Sequence, residues 1–200
     1  MKIVNYDTTT GKILGWYDNE IHSTIPTPNT EVTDEQWQSA IDMNANYFDG
    51  IDFSVKDFRT LDELKQSKIN EINNACANQI TNGFTSTALD TATPTTYHYQ
   101  SEQIDQLNLI GLVSGGEDDV FKCSKDDGSG NPTTWNYELH TIAQLTQVLN
   151  DGKAYKISLL TKDADLKAQA NSIFVSVDGG LDGGYLTDDE AKEALDSILW

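Results

Sequence analysis

Arginine is almost absent from this 200-residue chain. Arg59 is the single one, the other basic residues are lysines, and 32 Asp and Glu leave a formal net charge of −19. Bidentate guanidinium grips on phosphate or carboxylate are therefore missing. A nucleic acid, which is bound by neutralising its phosphates, meets the wrong sign of charge, and an anionic membrane surface meets the same. No apolar run approaches the length of a membrane-spanning helix, and the opening MKIVNYDTTT lacks the apolar stretch of a signal peptide. No membrane and no nucleic acid are expected as partners. Cysteine is scarce too. Cys76 and Cys123 form no CxxC and no His-spaced metal pattern, and two in such a length is not a disulfide-stapled scaffold. They read as buried free thiols, and a bond between them would need Cα atoms within about 7 Å. His22, His98 and His140 stand apart from one another, without a catalytic partner nearby in sequence. Phosphate-loop, dinucleotide, nucleophile-elbow and HExxH patterns are missing. No catalytic residue, cofactor site or metal site is assigned from the residues.

What is present reads as short hairpins and amphipathic helices. Ile3–Tyr6 and Ile13–Tyr17 form strands around the turn Asp7–Lys12. Pro26 and Pro28 make residues 24–31 an extended connector. Thr33 with Gln36 is a capping box, and Trp37, Ala40 and Ile41 share a helix face behind it. Residues 47–58 read as an aromatic hairpin around Asp49-Gly50. A second capping box, Thr60 with Glu63, opens a helix that Gly83 closes. Residues 83–100 give two extended segments around a loop, and Ser101 caps a helix whose stripe is Ile104, Leu107, Asn108, Gly111 and Leu112. Val120–Lys125 and Thr133–Leu139 pair as strands, with Trp135, Tyr137 and Leu139 alternating with polar residues. A helix from Thr141 bends or breaks at Asp151-Gly152 and continues over 153–173. Glycines punctuate 174–184, and a last helix runs from Thr187 to Leu199. The expected fold is α+β, a small N-terminal hairpin region followed by a mainly helical domain with short strand pairs. Its expected parts are 1–58, 59–175 and a Gly-rich linker with terminal helix at 176–200.

Three constellations invite chemistry. Asp178, Asp182 and Asp189 stand at positions 1, 5 and 12 of an EF-hand-like spacing, with Gly183 at 6, but Gly180 offers no ligand at 3. A Gly-rich linker into a capped helix is the plainer reading. Asp126-Asp127-Gly128 reads as a solvated hairpin tip, with cation binding as its rival. Tyr97, His98 and Tyr99 with Trp135 and Tyr137 are able to stack a sugar, although strand-like spacing favours packing of a sheet onto helices.

An ordered string of motifs runs from Lys68-Ile69-Asn70-Glu71-Ile72 and Asn74-Ala75-Cys76 through Gly83-Phe84-Thr85-Ser86 and Ala88-Leu89 to Asp105-Gln106-Leu107-Asn108-Leu109-Ile110-Gly111. It continues with Phe121-Lys122-Cys123, His140-Thr141, Ala143-Gln144-Leu145, Gln147-Val148 and Leu166-Lys167. Over about residues 60–173 this resembles a phage and prophage tail-fibre-associated domain family of unknown function. Asp90 departs from the family, where a glycine follows the Ala-Leu pair. Tyr6 to Gly11 and Thr33 to Trp37 carry a shorter likeness to tail-fibre assembly proteins. The resemblance implies a non-enzymatic phage tail protein, either a fibre- or baseplate-associated structural component or a fibre-assembly chaperone. The implied partner is a phage tail-fibre or baseplate protein, with homo-oligomerisation left open. The implied place is the virion tail, or the host cytoplasm during assembly. A carbohydrate-binding receptor module on the Tyr and Trp cluster is the alternative. An acidic glycan hydrolase is a third, with only the abundance of Asp and Glu behind it.

Overall fold

The computed structural model describes residues 1–90, 95–174 and 188–200. The fold is α+β, and the chain divides into two compact units, Met1–Arg59 and Thr60–Trp200.

In the first unit, β1 (Lys2–Tyr6) lies between β2 (Ile13–Asp18) and β3 (Asn29–Val32), antiparallel to both. The third strand corrects the expectation of a plain connector after Pro28. Asn-Thr-Glu-Val has no apolar alternation to announce it. It is held by its ladder to β1 and by Asn5, whose buried amide donates to the Pro28 carbonyl at 2.6 Å. The Thr33–Gln36 capping box opens α1 (Asp34–Asp42). The hairpin of β4 (Tyr47–Phe48) and β5 (Phe53–Ser54) completes the unit. Its core is small and aromatic. Val4, Val32 and Phe48 are buried, Phe48 stacks on Phe53 at 4.5 Å, and Trp16 meets Trp37 edge-on at 4.9 Å.

The second unit opens with α2 (Leu61–Thr81) behind the Thr60–Glu63 capping box. A four-stranded antiparallel sheet follows in the order β6 (Phe84–Ser86), β7 (Tyr97–Tyr99), β8 (Asp119–Asp126), β9 (Pro132–His140). Between β7 and β8 runs α3 (Gln103–Gly115), ended by Gly116 in the left-handed region. The chain closes with α4 (Ile142–Asn171) and α5 (Asp188–Asp196).

Two cores share α4. Leu145 and Val148 pack with Tyr99, Leu109, Phe121 and Cys123 between sheet and helices. Leu166 and Ala170 pack with Ile72 of α2 and with Leu195 and Ile198 at the chain's end. Residues 188–200 therefore belong to the fold of this unit.

The helix α4 is continuous where a bend or break was expected at Asp151-Gly152. The reason is tertiary. A Cβ on Gly152 would lie 2.9 Å from the Phe84 ring, so the missing side chain is what lets β6 approach. Asp151 is held from both sides, by the Ser86 hydroxyl at 2.5 Å and the Gln147 amide at 2.6 Å. Ser101 also differs from expectation. Its hydroxyl donates to the Ile80 carbonyl and accepts from the Gly83 N–H, tying the end of α2 to the loop before α3. The N-cap of α3 is Glu102, whose N–H donates to Asp105.

Candidate functional site

Strand register sorts the second unit's residues into two faces. Paired residues across an antiparallel ladder point to the same side. Phe84, Tyr99, Cys123 and Asn136 form one row, and Thr85, His98, Ser124 and Trp135 form the next on the opposite side. The first side faces the helices. There Phe84, Tyr99 and Phe121 stack in file, with ring centroids 5.6 and 6.0 Å apart. Tyr99 is fully buried, and its hydroxyl lies 3.0 Å from Nε2 of the equally buried His140. Nδ1 of His140 lies 2.8 Å from the Glu138 carbonyl. That carbonyl only accepts, so Nδ1 carries the proton and the Tyr99 hydroxyl donates to Nε2. The ring is neutral, and burial holds its pKa below the ordinary value. Burial likewise raises the Tyr99 phenol, and it pushes the Cys123 thiol up to about 11.

The opposite side is open. Tyr137 is 71% exposed, Leu139 67% and Val120 48%. This corrects the packing expected for the β9 aromatics. The period-two alternation is there, but the apolar set points away from the helices. Trp135 is half-buried with the Lys122 ammonium 5.7 Å from its ring. Beside it, His98 Nε2 meets Asp126 Oδ2 at 2.8 Å. That contact, then the Gly128 and Gly130 amides, hold the Asp126 carboxyl below the usual range. Trp135 and His98 border a groove of about 370 Å³, whose lining also includes Asn82, Thr85, Pro132 and Tyr155. The His98–Asp126 pair was missed in sequence because 28 positions separate its members.

A second recess, of about 220 Å³, has a mainly apolar lining of Ile80, Phe84, Leu109, Ile110, Leu149 and Tyr155. Lys153 and Lys156 also line it, as does Asp105. Among the described residues neither lysine has an ion pair or a ring partner, whereas Lys2, Lys68 and Lys167 each pair with a carboxylate. Two of the helices that line it also carry exposed apolar residues. Ile157 and Leu160 share the α4 face of Lys153 and Lys156 by their i, i+3, i+4, i+7 spacing, and both are exposed. On α3, Ile104, Leu107 and Ile110 are exposed. The stripe read from the sequence is thus largely on the exposed side, and Leu109, Leu112 and Val113 do the packing. A helix apolar on both sides gives periodicity no contrast to read.

Of the other sequence candidates, Cys76 and Cys123 are both buried and free. Asp178 and Asp182 lie outside the described residues, and Asp189 is in the first turn of α5. Asp126 and Asp127 accept from the amides of Gly128, Ser129, Gly130 and Asn131, so they fold the hairpin tip. Among the described residues no three His, Cys, Asp or Glu gather as a metal site requires.

No curated protein and no solved structure matches the chain. A family model matches residues 63–196, from the first turn of α2 to the last residue of α5. The match covers more than half of the sequence and runs past the 173 at which the motif string ends. With that extent, the chain belongs to the family described as a domain of unknown function, DUF4376.

Proposed function

We propose that this protein is a non-enzymatic bacteriophage tail protein, fibre- or baseplate-associated or a fibre-assembly chaperone, that works by docking on another protein. The context comes from the resemblance of residues 60–173 to tail-fibre-associated domains. The observation that carries docking is α3, which buries Leu109 and leaves Ile104, Leu107 and Ile110 exposed beside an apolar recess. Contiguous apolar surface next to a pocket is where interface anchors insert. The −19 net charge keeps such a chain soluble while that surface waits, and it steers the chain towards a basic partner.

The test is light scattering on size-exclusion fractions of this protein mixed with the tail-fibre protein encoded beside it, together with mass spectrometry of purified virions. A complex lost in Leu107→Glu supports the reading. Absence of both complex and virion copies sinks it. Copies in mature virions identify a structural component, and a complex without virion copies identifies a chaperone. The groove beside Trp135 supports the carbohydrate reading, since an aromatic plane stands there among the polar Asn82, Thr85 and His98. Tyr99 also borders the groove, but it is fully buried and offers no ring face to a sugar. Glycan-array binding abolished by Trp135→Ala would favour this second reading over docking.

A further inference from the structure

The two edges of the second unit's sheet are unlike. Strand β6 has three residues, of which Ser86 is buried and Phe84 half-buried. Strand β9 has nine, pairs among the described residues on one side, with β8, and is exposed everywhere except Trp135 and His140. An edge strand presents unpaired N–H and C=O groups, and proteins usually blunt it with lysines, internal prolines or shortness. In β9 there is no lysine, and Pro132 stands at its first position. Between them Trp135, Tyr137 and Leu139 line one face, with Val120 of β8 opposite Leu139.

The sequence of β9 is also self-complementary. When a strand pairs antiparallel with its own copy about a two-fold axis normal to the sheet, opposite residues share a face, so the axis must pass through a residue. An axis at Glu138 sets two carboxylates against each other, and an axis at Asn136 leaves Leu139 opposite Thr133. An axis at Tyr137 sets Tyr137 against its copy and Trp135 against Leu139 twice, with Glu138 opposite the Asn136 amide on the other side. Aromatic–aliphatic cross-strand pairs and a carboxylate–amide pair all favour that register.

We infer that β9 is a homodimer interface, in which two copies of this chain join their sheets edge to edge about an axis at Tyr137. The partner is a second copy, and the interface uses none of the α3 residues on which the docking proposed above rests.

Light scattering and sedimentation of the full chain, from dilute to concentrated, test this directly. The expected mass is twice the 22.1 kDa of the chain. Tyr137→Lys puts a charge into the new ladder and should weaken the dimer about tenfold or more, with an unchanged circular-dichroism spectrum. Cross-linking reads the register. Tyr137→Cys should form a covalent dimer on mild oxidation. Leu139→Cys should not link to itself, because its copy lies about 13 Å away along the strand, yet it should link to Trp135→Cys in a mixture. A monomer at every concentration overturns the inference, and so does a dimer indifferent to Tyr137→Lys. Faster self-linking of Leu139→Cys than of Tyr137→Cys overturns the register and with it the axis.

Discussion

On the inner face of the β6–β9 sheet, Phe84, Tyr99 and Phe121 stack in file beneath the helices. On the outer face of the same sheet, Tyr137 and Leu139 of β9 and Val120 of β8 are exposed. Both faces carry large apolar groups. What differs is the polar accompaniment. Inside, each polar group has a partner: the His140 ring bonds the Tyr99 hydroxyl and the Glu138 carbonyl, and the Ser86 hydroxyl bonds Asp151. That satisfaction is what makes an interior, because a buried polar group without a partner costs about 1–3 kcal/mol. Outside, the His98–Asp126 pair is largely covered and sits at the margin, while Tyr137, Leu139 and Val120 stay exposed.

The contrast between faces should appear most strongly in Tyr99→Ala. Removing this fully buried ring empties the centre of the stack and orphans His140 Nε2, so about 4 kcal/mol of stability should disappear from urea unfolding. A loss under about 1 kcal/mol would mean that the inner file is not the core. Gly83→Ala comes next. Gly83 has φ +103 and an added Cβ would lie 2.6 Å from the Tyr99 carbonyl oxygen, so about 2 kcal/mol should be lost through strain where α2 hands over to β6.

The inner face should also respond to pH. Burial lowers the folded pKa of His140, so the unfolded chain binds the proton more readily. Its contribution is complete above the unfolded value near 6.5 and declines as pH falls from there towards the folded pKa. The urea midpoint should therefore drop over that window, and His140→Gln should flatten the drop. The Asp126 carboxyl acts lower. Its folded pKa is depressed, so its contribution is present above the ordinary carboxylate value and fades as pH falls below it. The smallest change belongs to the outer face, where Tyr137→Ala should alter the stability of the isolated chain by no more than about 0.5 kcal/mol. A large loss there would show the outer face to be part of a core, and the comparison would fail.

Much of the secondary structure was legible because its signals are local. The capping boxes Thr33–Gln36 and Thr60–Glu63 start α1 and α2 where the sequence places them, and the Asp49-Gly50 turn joins β4 to β5. The misreadings share a cause, which is information held elsewhere in the chain. Gly152 reads as a helix breaker until Phe84 is seen against it, and Ser101 reads as a cap until the end of α2 claims its hydroxyl. Alternation in β9 and the apolar residues of α3 announced an amphipathic or buried element but not which side is covered. The candidate surfaces were hardly legible at all. Trp135 and Tyr137 were singled out, but His98 meets Asp126, and Lys153 meets the apolar recess, only through tertiary structure.

At about 45 Å, the 30-residue α4 is long enough to wall two hydrophobic interiors in succession. Its first half closes the stack around Tyr99, and its second closes the cluster around Ile72. Because the helix is continuous from one interior to the other, we expect the two to open together as one cooperative foldon. Amide exchange along this helix should then report a single opening free energy from Leu145 to Ala170, instead of a stepwise fraying from its middle.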